Sequence, residues 1–232
     1  MRSRRTTTAS DELFRQVPLR AGALRLLRRR LSAPNRHYHG LEHLSDLWLL
    51  HRRLAPPGKL RLQRTEQLIA CAIVFHDAVL DPRRSDNEAA SASLWRRCAR
   101  LAGRLPRADI ERVAEAIEAT AQHAARRITA AADDVAVCWF IDLDLGGLGA
   151  CAQRFRRNTA RLRAEAATLP GTEWEFRRLG FLHALNRRPR IFCSPRIERA
   201  MEAAARANIG RELRAGGFLS AQEAARVRNR RV

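Results

Sequence analysis

Apolar side chains recur every three or four residues along almost the whole chain, a spacing that builds helices and leaves little room for strands. The pattern predicts helices at about 11–31, 41–54, 61–80, 86–103, 107–125, 133–148, 149–168, 172–187, 195–215 and 219–229. Breaks fall where the backbone is stiffened or freed: Ala33-Pro34-Asn35, Pro56-Pro57-Gly58, Asp81-Pro82, Leu105-Pro106, Leu169-Pro170-Gly171, Arg188-Pro189 and Gly216-Gly217. Asp86 stands as a cap before Asn87-Glu88, and Thr172 with Glu175 three residues later has capping-box spacing. The run Val135 to Ile141 suits either a strand or a buried helix. No repeat or low-complexity linker divides the chain, so the expectation is an all-α single domain over 11–215. A basic disordered tail is expected at 1–10, and a C-terminal helix or mobile basic tail at 216–232.

At 232 residues the chain can bury a core without staples. Its charge is lopsided: 44 Lys+Arg against 24 Asp+Glu give a net +20, and the single lysine is Lys59. Such a field attracts anions, phosphates and nucleic acids included. The arginines are spread along the chain, however, and aromatics are only 6%, which disfavours a base-stacking platform and makes solvated helix faces the simpler account. The five cysteines, Cys71, Cys98, Cys138, Cys151 and Cys193, are widely spaced without a CxxC pair, so neither a zinc ribbon nor a disulfide framework is indicated. The basic N-terminus lacks an apolar segment after it, and no apolar run approaches the ~20 residues a bilayer requires, so a cytoplasmic, reduced protein is expected.

Polar, metal-binding side chains interrupt apolar runs in three places, where burying them unpaired would be costly. The first is Arg36-His37-Tyr38-His39-Gly40-Leu41-Glu42-His43, with His39 and His43 one helical turn apart. The second is His76-Asp77, ending the apolar run Leu68 to Phe75. The third is Asp142-Leu143-Asp144, closing the run that starts at Val135. Each has an ordinary explanation alone, as a hydrogen-bonded core histidine or a carboxylate paired with arginine. Together, imidazole and carboxylate on three separate apolar helices make a mixed nitrogen and oxygen donor set suited to a divalent ion. The absence of nearby thiolates argues against a purely structural zinc.

The order His, then His-Asp, then Asp resembles the HD superfamily of metal-dependent phosphohydrolases. The stretches His37 to His43, Phe75-His-Asp-Ala-Val79, Asp86-Asn-Glu-Ala-Ala-Ser91, Asp142-Leu-Asp-Leu-Gly-Gly-Leu-Gly149 and Ala205 to Glu212 are similar to a bacterial branch of predicted HD phosphohydrolases. The resemblance runs over about 11–215 and implies an HD-type helical bundle with additional C-terminal helices. It also implies metal ligands at His43, His76, Asp77 and one of Asp142 and Asp144. His43 is preferred over His39 because it opens the apolar helix from Leu44, and Asp144 over Asp142 by the superfamily's habit. The metal is Mn, Fe, Ni, Zn or Mg. His123 is a candidate for a second metal or a proton relay, with Asp77 and Glu88 as further catalytic candidates. Arg36, His39 and Asn87 are candidates for substrate contact. Arg177-Arg178-Leu179-Gly180 departs from the branch's Gly-Arg pattern, which puts a role for arginine there in doubt.

The resemblance implies hydrolysis of a phosphomonoester or phosphodiester in a nucleotide-like small molecule, by a monomer or homodimer that needs no membrane. The alternatives are an HD-like di-iron oxygenase, with similar ligands and more histidines, and a basic helical nucleic-acid-binding protein.

Overall fold

The computed structural model describes residues 8–123 and 135–217, and helices carry most of it. They are α1 (Ala9–Gln16), α2 (Ala21–Leu31), α3 (Leu41–Leu54), α4 (Gln63–Phe75), α5 (Asn87–Ala102), α6 (Arg107–Ala119), α7 (Val135–Asp144), α8 (Ala152–Glu165), α9 (Gly171–Asn186) and α10 (Pro195–Ala215). Short 3-10 turns occur at Lys59–Arg61, Thr120–Gln122 and Leu145–Gly149, and no strand lies among the described residues. The all-α single-domain fold is thus as the periodicity predicts, and the ambiguous run from Val135 is helix. No single described helix is long and apolar enough to cross a membrane.

The centre is α4, whose residues from Leu68 through Phe75 are all buried. It packs against α1, α3, α5, α6 and α7, which explains why its sequence is apolar on every side. The helix ends at Phe75, short of the expected residue 80. Beyond it, Arg36 donates to the carbonyls of Asp77 (2.5 Å) and Ala78 (3.2 Å), holding the chain in a turn that carries the buried His76 and the adjoining Asp77.

Three further boundaries differ from expectation. The stretch 11–31 is two helices because Pro18 forces Val17 into extended backbone at the end of α1. The expected tail at 1–10 is ordered from Thr8, whose side chain forms a capping box with Asp11. Thr172 caps nothing, since Pro170 occupies the cap and Thr172 already lies in the first turn of α9. The predicted helix at 219–229 lies outside the described residues.

The turn Leu145–Gly149 is wedged between α3 and α10. A Cβ on Gly146 would stand 2.6 Å from Leu50, and one on Gly149 would stand 2.7 Å from Met201 Cβ and 3.1 Å from its carbonyl oxygen. Asn208 of α10 secures the turn by donating to the carbonyls of Leu148 (2.7 Å) and Ala150 (2.8 Å). Close approach, and not an unusual backbone angle, calls for glycine here. Gly149→Ala is expected to cost about 1–3 kcal/mol of stability, the usual range for overpacking, measured by urea unfolding.

A second buried polar group ties α3 to α7. His51 accepts a hydrogen bond from Trp139 Nε1 at Nδ1 (3.0 Å) and stacks on Trp48. Burial, reinforced by Arg61 and Arg52, lowers its pKa from 6.5 to about 4. Between those values the unfolded chain binds a proton that the folded chain refuses, so stability falls as pH drops through that window. The loss is on the order of 3 kcal/mol by pH 4. His51→Gln keeps an acceptor for Trp139 and is expected to flatten this part of the stability profile. An unaltered slope would remove His51 from the explanation.

Candidate metal centre

Three helix ends meet at one point because α3, α4 and α7 pack against one another. His43 lies in the first turn of α3, His76 and Asp77 follow α4, and Asp144 is the last residue of α7. His43 Nε2 lies 3.3 Å from His76 Nε2, 3.1 Å from Asp144 Oδ1 and 3.8 Å from Asp77 Oδ2. His76 Nε2 lies 2.7 Å from Asp77 Oδ2 and 3.4 Å from Asp144 Oδ1. His43, His76 and Asp144 form a group that can hold a metal ion, with one ligand atom from each inside a 4.8 Å span. The C-termini of α4 and α7 both end at this point, and their dipoles favour a positive charge there.

Hydrogen bonding sharpens the picture. His76 Nδ1 lies 2.9 Å from the carbonyl of Ile73, which can only accept, so Nδ1 carries the hydrogen. Nε2 of the neutral ring is therefore a bare lone pair facing carboxylate oxygens. Asp77 Oδ2 is buried, with His76 Nε2 only 2.7 Å away. Lone pairs directed at one another in a buried space repel unless a proton or a metal cation sits between them. Burial opposes a charge on His76, yet Asp77 and Asp144 outweigh it and raise its pKa well above that of free imidazole. Burial likewise opposes ionisation of Asp144, but His76, His123 and His43 hold its pKa well below the usual carboxylate range. Donor chemistry and geometry both fit a divalent ion. The backbone bond to His76 is the support that ligating histidines ordinarily have.

His123, at the end of the 3-10 turn that follows α6, directs Nε2 at Asp144 Oδ2 (2.7 Å), while its buried Nδ1 has no hydrogen-bond partner among the described residues. His39 sits beside the cluster, its ring centroid 5.6 Å from that of His43. Its Nδ1 is hydrogen-bonded to Glu165 Oε2, and Glu165 also accepts from the backbone amides of Tyr38 (3.3 Å) and His39 (3.1 Å). Burial disfavours the His39 cation, but Asp77 and Glu165 prevail and raise its pKa.

The remaining candidates are engaged elsewhere. Asp142 is fully buried with Oδ1 on the amide of Cys193 (2.9 Å) and Oδ2 on that of Ser194 (2.6 Å), so it anchors the start of α10 and is not a ligand. Burial pushes its pKa up to about 7 despite those two amides. Arg36 does not reach out to a phosphate: Nη1 donates to the carbonyls of His39 (3.0 Å) and Asp77, and Nη2 to that of Ala78. Asn87 does not face a substrate either, because it brackets Asp81, accepting from its amide and donating to its carbonyl at 2.9 Å each. Ser91 does the same at Val79. The Asp86 to Ser91 stretch is therefore a clamp on the turn after His76-Asp77. The Asp86 side chain pairs with Arg84 and does not cap α5. Glu88 makes no hydrogen bond or ion pair to the cluster among the described residues.

A cleft of about 150 Å³ opens beside the cluster, lined by Tyr38, His39, His123, Asp144, Asn158 and Arg178 among others. A groove of about 730 Å³ adjoins it, sharing Tyr38, Gly147 and Asn158 and reaching His43. Sequence reasoning overlooked Glu165 and Asn158, and left a role for Arg178 in doubt. A signal existed for two of them. Arg178 falls on the same face of α9 as Leu182 and Leu185, and Asn158 falls between Phe155 and Leu162 on α8, each a polar residue in an apolar stripe.

Comparison with protein-family models, with curated proteins and with solved structures finds no match to this chain.

The two aspartates are separable by experiment. Asp144→Ala is expected to abolish tight binding of a divalent ion, measured by metal analysis after loading and desalting. Asp142→Ala is expected to keep the ion but to lose about 1–3 kcal/mol of stability, since two buried amides are stranded. Reversed outcomes would exchange their roles.

Proposed function

We propose that the chain is a metal-dependent phosphohydrolase of the HD type, acting on a phosphomonoester or phosphodiester of a nucleotide-like small molecule. The observation that carries this reading is the convergence of Nε2 of His76, Nε2 of His43 and the oxygens of Asp144 and Asp77 on one buried point. The order of those residues along the chain is what resembles the HD superfamily.

His43, His76, Asp77 and Asp144 would hold a divalent ion, which would supply Lewis acidity toward the phosphoryl group and toward water. The protein's own groups do the rest. The backbone bond to Nδ1 keeps His76 in the ligating tautomer. His123 fixes one oxygen of Asp144 through Nε2 and keeps Nδ1 for a proton in transit. His39, its Nδ1 hydrogen-bonded to Glu165, lines the cleft, where its ring can pass a proton to the departing alkoxide as the phosphorus–oxygen bond breaks. The apolar walls from Leu148, Phe155 and Phe181 thin out water, which strengthens each of these interactions.

A second reading draws on the two extra histidines beside the cluster, His39 and His123, which would suit a di-iron oxygenase. Iron content and oxygen consumption distinguish it.

Screened against phosphoesters with Mn, Ni or Mg, the wild-type chain is expected to release phosphate or a monoester. Asp77→Ala is expected to lower that rate by at least about a hundredfold, the lower end of what one positioned group contributes, while the helical circular dichroism is retained. Full activity in Asp77→Ala would refute the assignment.

A further inference from the structure

We propose that the small cleft is a pocket for a phosphoryl-sized oxyanion, gripped by Arg178 and His39 with Asn158 between them. This deepens the phosphohydrolase reading and rests on it: the pocket takes the charged head of the substrate and leaves the organic part to the adjoining groove.

The side chain of Arg178 is only 11% exposed. One edge of its guanidinium is fully used, with Nε on Glu212 Oε1 (3.0 Å) and Nη2 on Glu212 Oε2 and Thr159 Oγ1 (3.3 Å each). The other nitrogen, Nη1, makes no hydrogen bond among the described residues, and the residue lines the cleft. The ring of Phe155 lies 5.7 Å from the guanidinium carbon, fixing its plane. A largely enclosed cation with one donor edge held and the other unspent is oriented for an anion.

His39 Nδ1 is held by Glu165, Nε2 makes no hydrogen bond among the described residues, and the ring lines the same cleft. Asn158 is buried, lines the cleft, and has no side-chain hydrogen bond among the described residues. An amide in that position lacks a partner that a ligand oxygen would supply. Asp144 also borders the space, but its oxygens are taken by His43 and His123, so the donors are what remain available.

Size sets the ligand class. At about 150 Å³ the cleft is smaller than the ~300–1,000 Å³ of pockets that enclose drug-sized ligands, so a phosphoryl group fits where a nucleoside does not.

The test is a titration of the full chain with inorganic phosphate, followed by calorimetry in the presence of a chelator and without any ester. Arg178→Gln is expected to weaken phosphate binding by about tenfold or more, as loss of one charge-assisted contact does, with Arg178→Lys in between. Because Arg178→Gln strands the Glu212 carboxylate, the double change Arg178→Gln with Glu212→Gln, which removes both buried charges, guards against a folding defect. Asn158→Ala is expected to weaken binding by about threefold, as loss of one neutral hydrogen bond does. Wild-type phosphate affinity in the double variant, with an unchanged melting temperature, overturns the proposal. So does a wild-type chain that prefers phosphate no more than chloride. A chain that binds phosphate through Arg178 yet hydrolyses no ester keeps the pocket and loses the reaction. One that hydrolyses esters while its phosphate binding ignores Arg178 keeps the reaction and loses the pocket.

Discussion

Charge taken out of water must be matched, and the end of α7 displays two ways of doing so within three residues. Asp142 is matched by backbone amides at the start of α10, which fix where the C-terminal helix begins. Asp144 is matched by imidazoles from α3, α4 and the segment after α6, which gather at the cluster. Each carboxylate dictates what lies opposite it, and between them they set how the C-terminal helix and the N-terminal helices approach α7. The fold around the cluster follows from these two solutions as much as from the apolar core.

Arginine plays a similar part throughout. The sequence suggests solvated helix faces, and pairs such as Arg84 with Asp86 agree. Others are internal braces on carbonyl groups. Arg36 spans the loop before α3 and the turn after α4. Arg206 donates to the carbonyls of Asn186 (3.2 Å), Arg188 (2.8 Å) and Pro189 (3.0 Å) where α9 gives way to α10. The planar, five-donor guanidinium suits this work, and an ammonium in its place would reach fewer acceptors at once. A net charge of +20 thus overstates how much cationic surface faces solvent.

What the sequence discloses and what it conceals divide along a physical line. Helices, their proline-marked breaks and the candidate ligands were legible because each leaves a local trace: periodicity, a stiff residue, or a polar side chain interrupting an apolar run. Asp142 and Asp144 share that trace, and only amides some fifty residues further on tell them apart. Arg36 was misjudged because its partners are backbone carbonyls, which every residue carries and no pattern reveals. Glu165 and Glu212 gave no warning because each acts on a residue remote in the chain. The capping box at Thr8 and the vacant one at Thr172 have the same spacing. The difference is Pro170, which starts α9 early enough to leave Thr172 inside it.

The positions of these groups along the chain also stage their appearance during synthesis. His43, His76, Asp77, His123 and Asp144 are all made before Asn158 and Arg178, two of the residues that line the far side of the cleft. Domains grow from the N-terminus at the ribosome, so the cluster's donors can meet while the wall is still being translated. The nascent polypeptide passes through a stage at which the side chains of the cluster exist without Asn158 and Arg178, and α10, the last of the described helices, then brings Glu212, which holds Arg178 in place.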